Sequence, residues 1–252
     1  MPIRPATYSD LLPASKCLAR AFKDEPLFGQ YIHPYRDQYP EDMYLHFLHK
    51  LRNVWASQDT DQFLLVSYPT TSSEQSSSSP SQEIITGIAH WTRMREHQPQ
   101  DTLYQALSKS AMSAFNYLES FLYPNRAQER SRANIMSEFP PFSAHFWTGS
   151  RAEVYDLTLL GVDPSASGQG HGQQLAAWGF EKAKAEGVGC SVVGAEGTEK
   201  FYRKCGYDTV AGGVSDAGGE KNPLVREGIK GGLVMFWDNG RSLDGVQEYR
   251  ER

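Results

Sequence analysis

Cysteine is scarce in this chain. Cys17, Cys190 and Cys205 are the only three in 252 residues, too few and too scattered for a disulfide framework or a Cys-x-x-Cys metal site. The expectation that follows is a reducing, cytosolic compartment. No stretch is long and apolar enough to read as a membrane span, and Met1-Pro2-Ile3-Arg4-Pro5 leads straight into a strand-like segment, so a cleaved signal peptide is not expected. An excess of positive charge is missing too. The 25 Lys and Arg stand against 30 Asp and Glu, a formal net charge of −5 that supplies no electrostatic reason for a nucleic-acid partner. Internal repeats are absent. What remains is an ordinary globular composition, 39% apolar, at a length that supports one large α/β domain or one domain with insertions.

The stretch that organises the chain runs from Val154 to Tyr207. Val154 to Val162 is rich in β-branched and aliphatic residues and predicts a strand, closed by Asp163-Pro164. Leu175, Ala176, Gly179, Phe180 and Ala183 then recur on one helical face that ends at Gly187. Between strand and helix lie Gly168, Gly170 and Gly172. Glycine reaches backbone conformations closed to other residues, and the unpaired N–H groups of a first helical turn face whatever sits in front of them; phosphate is the usual guest. A nucleoside-triphosphate loop would need Gly-Lys-Ser or Gly-Lys-Thr, and neither follows Gly172. The dinucleotide fingerprint would need glycine where Gln173 stands, and a clear acidic residue ending the next strand.

Val162 to Gly172 instead resembles the acetyl-CoA signature of the GNAT superfamily, the CoA-dependent N-acetyltransferases. That pattern, Gln or Arg, two variable residues, Gly, a variable residue, then Gly or Ala, falls on Ser167 to Gly172. The continuation agrees in order and spacing. Gly189 to Gly194 reads as a short buried strand, and Thr198 to Tyr207 resembles the family's closing helix and turn, Leu-Tyr-x-Lys-x-Gly-Phe. The resemblance implies a mixed α/β fold, the GNAT acyl-CoA N-acyltransferase fold, in a single domain over 1–252 with its acetyl-CoA-binding core at 153–210. It implies acetyl-CoA as co-substrate and no metal. Leu160, Gly161 and Val162 would present backbone N–H groups to the thioester carbonyl, and Ser167, Gly168, Gln169, Gly170, His171, Gly172 and Gln173 would form the cradle. Three positions depart from the family. Ser167 replaces the usual Gln or Arg, Gln169 the frequent Arg or Lys, and Ala195 stands where Asn is common. The cradle therefore rests on N–H groups and the helix dipole unless a basic residue arrives from elsewhere.

Acetyl transfer to an amine needs a neutral amine, a polarised carbonyl and a proton for the departing thiolate. By the resemblance, Tyr202 lies by the CoA sulfur as the proton donor; a phenol with a reference pKa near 10 is protonated at neutral pH. Asp156 matches the position where some members carry a catalytic carboxylate, with Glu153 as the fallback and a capping or pairing role at the strand's start as the alternative. His171, in a variable position, is expected to face solvent, and His46 and His49 to form a helix surface rather than a metal site. Cys205 has no partner His to make it a nucleophile.

Elsewhere, Ile3 to Thr7 predicts an opening strand and Ser9-Asp10 a cap for a helix through Phe22, broken at Asp24-Glu25-Pro26. Tyr44, Phe47, Leu48, Leu51, Val54 and Trp55 share one face of a second helix. By analogy with the family, Phe22 to Tyr35 borders the acceptor. Gln62 to Tyr68 and Ile84 to Trp91 read as strands joined by a Ser-rich flexible loop, 70–82, which has no apolar anchor to offset its ordering entropy. Residues 95–151 read as a helical insertion between the third and fourth strands. Its apolar residues, Leu103 to Tyr123, Phe139, Phe142, Phe146 and Trp147, are expected to pack it onto the sheet, with part of the cluster covering an acceptor pocket. Gly212 to Gly232 is irregular before a last strand, Leu233 to Trp237. The expected activity is acetyl transfer from acetyl-CoA to a primary amine of a small molecule, by direct transfer in a ternary complex. The branch resembled is the one that includes puromycin acetyltransferase and fungal members. The alternatives are a non-catalytic CoA-binding or interaction protein and a protein or peptide amine acetyltransferase.

Overall fold

In the computed structural model, which describes residues 2–69 and 84–246, seven strands form one sheet. They are β1 (Ile3–Pro5), β2 (Gln62–Ser67), β3 (Gly87–Met94), β4 (Val154–Val162), β5 (Gly189–Gly194), β6 (Thr209–Gly213) and β7 (Leu233–Trp237), in the order β1-β2-β3-β4-β5-β7-β6. Every neighbouring pair is antiparallel except β4 and β5. The helices are α1 (Leu11–Ala21), α2 (Tyr44–Ser57), α3 (Leu103–Leu122), α4 (Ile135–Glu138), α5 (Pro140–Ser143), α6 (His171–Glu186), α7 (Glu199–Cys205) and α8 (Pro223–Arg226).

The two faces of the sheet bury different partners. On one, Leu175, Ala176, Phe180 and Ala183 of α6 meet Trp91, Tyr155, Leu157 and Val192. On the other, Leu11 and Leu18 of α1 and Phe47 and Leu51 of α2 meet Val66, Ile88, Leu159 and Phe236. The α6 side is closely fitted. A Cβ at Gly179 would lie 2.3 Å from the Trp91 ring, which is fully buried and donates its indole N–H to the Leu175 carbonyl at 3.1 Å. Gly179→Ala is therefore expected to destabilise the fold by about 1–3 kcal/mol through overpacking, read as a lower denaturant midpoint at unchanged slope.

Two irregularities of β4 set up the cleft described below. Its register against β3 shifts where His90 pairs Leu159 and Trp91 pairs Leu157, so Thr158 is an extra residue. Strict alternation would put Leu159 and Leu157 on one face; the bulge sends Leu157 to the α6 side and Leu159 to the α1 side. The second irregularity is divergence. β4 pairs with β5 only from Val154 to Leu157, while its pairing with β3 continues to Val162. Beyond Leu157 one edge of β4 has left its parallel neighbour.

Several sequence expectations shift. The opening strand stops at Pro5, because the Thr7 N–H turns to the Asp10 carboxylate at 2.7 Å and a helical turn begins there. The third strand is Gly87–Met94, three residues later than expected, and β6 is a strand the sequence reading does not contain. Trp55 is 38% exposed and packs edge-on against Tyr8. The insertion divides. Phe146 and Trp147 join the core side of the sheet, as expected, but α3 does not pack onto the sheet: it lies on α2. The Ser-rich segment 70–82 lies outside the described residues. Among the described residues no helix is long and apolar enough to cross a membrane.

Candidate active site

The diverging strands open a cleft of about 770 Å³. β4 from Asp156 to Val162 forms one side, and Val193 to Glu196, Thr198 and Tyr202 the other. Phe22 to Phe28 and Gln30 close one end, with Met136 and Phe139 of the insertion and Ile229 to Gly232. Of the segment expected to border the acceptor, Phe22, Asp24 to Phe28 and Gln30 line the cleft, and the residues from Tyr31 to Tyr35 do not.

At the cleft's β4 end the chain turns into α6. Asp163 fixes the turn: its Oδ1 accepts from the Ser165 N–H at 3.0 Å and from the Ser165 hydroxyl at 2.7 Å, and its Oδ2 holds Arg20 at 2.5 Å. Gly168 and Gly170 follow with φ of +76° and +88°, conformations that favour glycine, and a Cβ at either would meet nothing within 4 Å. The N–H groups of His171, Gly172 and Gln173, the first turn of α6, carry no backbone acceptor among the described residues. An open concavity faced by unpaired N–H groups at the N-terminus of a four-turn helix fits the pyrophosphate of a CoA molecule, and Arg20, half exposed beside it, is the basic residue that the glycine segment lacks.

His171 corrects the sequence expectation. Its ring is buried, 1% exposed, and lies within hydrogen-bond distance of the Thr86 hydroxyl at 3.1 Å, with burial holding its pKa below the usual value. The strand end carrying Thr86 covers it. Only the His171 backbone is available to the cradle. His46 and His49 are corrected likewise. His46 packs edge-on against His33, Phe28 and Phe47 and is held down to about 3 by burial first, while His49 contacts Glu119 at 3.2 Å. Among the described residues there is no group of three or more metal-type ligands.

Asp156 sits on the cleft side of β4. Its Oδ1 accepts from the Ser191 hydroxyl at 2.7 Å and its Oδ2 from Thr158 at 3.0 Å, yet burial outweighs both and raises it to about 6. Glu153 is not an equivalent. It is ion-paired with Arg93 at 2.6 Å, is held below the usual carboxylate range, and is not among the cleft residues. Tyr202, on α7 across the cleft, is pushed well above the ordinary phenol range by burial, with the charges of Cys205 and Asp156 adding to it. Cys205 is raised to about 11 by burial, which leaves it a protonated thiol.

Residues 138–207, from the end of the insertion to the turn after α7, match the model of the acetyltransferase (GNAT) family. That stretch holds β4, the glycine turn, α6, β5 and α7, the part of the chain that is similar to a GNAT acetyltransferase domain. No curated protein matches the sequence. Among solved structures, the fold is shared with the Corynebacterium glutamicum protein described as histone acetyltransferase HPA2 and related acetyltransferase: TM-score 0.53, 17% identity, 96% of this chain and 97% of that one. The PaiA N-acetyltransferase of Thermoplasma acidophilum, solved with coenzyme A, overlaps at a TM-score of 0.48 with 12% identity over 94% and 98% of the chains. A mosquito arylalkylamine N-acetyltransferase-like protein overlaps at 0.46 with 13% identity over 93% and 97%.

In and around the cleft are further groups that no motif announces. Lys50 reaches it from α2; burial lowers its pKa while the charge of Asp156 supports it. Behind Lys50, His90 is held down to about 3 by burial and by the Lys50 cation, and its Nε2 meets the Gln62 side-chain oxygen at 2.5 Å. Trp147 of the insertion donates its indole N–H to Ser191 at 3.0 Å, and Ser191 donates on to Asp156. The one signal for Ser191 is register, since it pairs with Asp156 across β4 and β5.

Proposed function

We propose that the protein is an acetyl-CoA-dependent N-acetyltransferase that moves an acetyl group to a primary amine of a small molecule by direct transfer in a ternary complex. The observation that carries this is the pairing of a carboxylate raised to about 6 with a tyrosine kept protonated, on opposite sides of an unzipped seam that begins at a glycine-lined anion cradle. Acetyl-CoA supplies the activated thioester. The cradle and Arg20 hold its phosphates, and the free edge of β4 at Leu160, Gly161 and Val162 supplies backbone donors for the carbonyl. Asp156, ionised at neutral pH, takes the amine proton at a carboxylate oxygen; Tyr202 gives its hydroxyl proton to the departing sulfur. The cleft removes the entropic cost of bringing amine and thioester together.

A small acceptor follows from size and lining. At about 770 Å³ the cleft lies in the range of small-molecule sites, and Phe22, Leu27, Phe28 and Phe139 make its acceptor end apolar. The test is calorimetric titration of the purified protein with acetyl-CoA, followed by free-thiol release against a panel of small amines and amine-bearing peptides. Micromolar binding with release driven by small amines is the expected result. Release driven better by peptides reverses the choice of acceptor. Binding with no release from any amine supports a CoA-binding protein without catalysis, consistent with Ser167, Gln169 and Ala195. Failure to bind removes the cradle assignment.

A further inference from the structure

Helix α3 is mounted with its polar side towards the protein. Asn116 donates to the His49 carbonyl at 3.3 Å and to Asn53 at 3.0 Å, and Glu119 takes Arg52 at 2.5 Å, all on α2. On the opposite side lie Leu103, Tyr104, Leu107, Leu118, Phe121 and Leu122, between 61% and 78% exposed. With Ala111 and Ala114, also exposed, they fall on an arc of about 100° at the 3.6-residue period of a helix. No described residue covers them. The stripe is neutral as well. The two charged side chains of α3 are off it, Glu119 on α2 and Lys109 paired with Asp101 at 2.7 Å.

The order of the stripe says what it fits. Read outward from the midpoint between Met112 and Ser113, it is the same in both directions: Ala114 mirrors Ala111, Leu118 mirrors Leu107, Phe121 mirrors Tyr104 and Leu122 mirrors Leu103. A two-fold axis through that midpoint, perpendicular to the helix, would set each residue against its mirror in an identical helix running the other way. Bulky side chains would meet at the ends, and the alanines would let the backbones approach at the centre. Self-complementarity about a two-fold axis is the defining property of an isologous contact.

We propose that the α3 stripe is a homodimer interface, formed by two copies packing α3 antiparallel with Leu107 against the partner's Leu118. The area is sufficient. Six large side chains at their observed exposure offer roughly 700–900 Å² per copy, taking about 200 Å² for each fully exposed, against ~800 Å² per partner in a standard stable interface. With one Lys and no Arg along its length, and with its polar side tied to α2, α3 differs from the amphipathic helices that lie on bilayers, whose polar face is rich in Lys and Arg. No α3 residue lines the cleft, so the dimer leaves the active site open, and the proposal stands apart from the acceptor assignment.

The test is analytical ultracentrifugation of the full chain at micromolar concentration. A dimer is expected. Leu107→Glu with Leu118→Glu should halve the sedimenting mass, because position 107 of one copy faces position 118 of the other and both would be negative. Leu107→Glu with Leu118→Lys should restore the dimer, which a parallel pairing of like with like would not do. Both positions are exposed in the single chain, so both double variants should keep the native circular dichroism spectrum and a cooperative transition, the monomeric one losing only the dimer's contribution to its midpoint. A monomeric native chain overturns the proposal, and so does a monomer that floats with phosphatidylcholine vesicles, a result that would assign the stripe to a bilayer. A dimer unaffected by the double glutamate variant places the interface elsewhere, and one that this variant breaks but the charge pair does not restore overturns the antiparallel pairing.

Discussion

Asp156→Asn is expected to lower kcat by about 10²–10⁴, the usual worth of a general base, with acetyl-CoA affinity unchanged. The native enzyme should show an acid limb in its pH profile, with kcat/KM rising as pH passes through about 6 and levelling above it, since Asp156 must be ionised to take a proton. The limb should be missing in the variant. Lys50→Met should move it to higher pH, because the ammonium lowers the Asp156 pKa. Asp156→Asn should also be more stable than the native chain. A carboxyl whose folded pKa lies above its unfolded value binds its proton more tightly when folded, so ionisation works against the fold. That penalty is absent below the unfolded value near 3.9, grows as pH rises, and is complete above about 6. Removing it should raise stability at pH 7 by roughly 1–3 kcal/mol, the upper figure applying if asparagine keeps the bonds to Ser191 and Thr158. At pH 4 the gain should vanish. An unchanged kcat in the variant would put proton removal on another group, and a loss of stability at pH 7 would mean that the hydrogen bonds outweigh the buried charge.

Tyr202→Phe is expected to reduce kcat by about 10²-fold while leaving acetyl-CoA binding and the acid limb near pH 6 in place. The hydroxyl is the one atom removed, and the ring contacts with Phe201 and Tyr207 remain, at 5.1 and 5.7 Å between centroids. The phenol is raised by burial, so no basic limb from its ionisation should enter the accessible pH range of the native enzyme. Turnover equal to the native rate from pH 6 to pH 9 would show that the thiolate leaves without its help.

Much of this was legible because some chemistry can be done by few residues. The glycine turn was readable since positive φ at Gly168 and Gly170 excludes most side chains, and the helix beyond it shows its period in Leu175, Ala176, Phe180 and Ala183. Asp156 comes from matching the family's fourth strand back from Ser167, and its side chain lines the cleft; alternation alone misleads on that path, because Leu157 and Leu159, on either side of the extra residue Thr158, end on different faces. Lys50 reaches the cleft, and Trp147 reaches the Ser191 hydroxyl that bonds Asp156, through packing of distant segments, and nothing local marks them. His171 was misplaced because a variable motif position has no period from which to infer burial. The insertion was misread for a related reason. Amphipathicity shows that α3 has an apolar side, but not whether that side is turned to the sheet or away; the polar ties of Asn116 and Glu119 to α2 decide it.

The cleft's two walls are built from different materials. Asp156 to Val162 are held along one edge by the ladder to β3, so the Asp156 carboxylate stands on backbone as fixed as the sheet itself. The wall from Phe22 to Gln30 has no ladder and is held by local contacts: Glu25 to the Phe28 N–H at 2.6 Å, the Gly29 and Gln30 N–H groups to the Glu25 carbonyl at 3.0 Å, and the Phe22 and Phe28 rings at 5.2 Å between centroids. Heritable change therefore falls unevenly on the two. On the proposed function, substitutions in this wall would redraw which amines are admitted while the transfer apparatus is inherited whole, so relatives of this chain would diverge in diet before they diverge in chemistry.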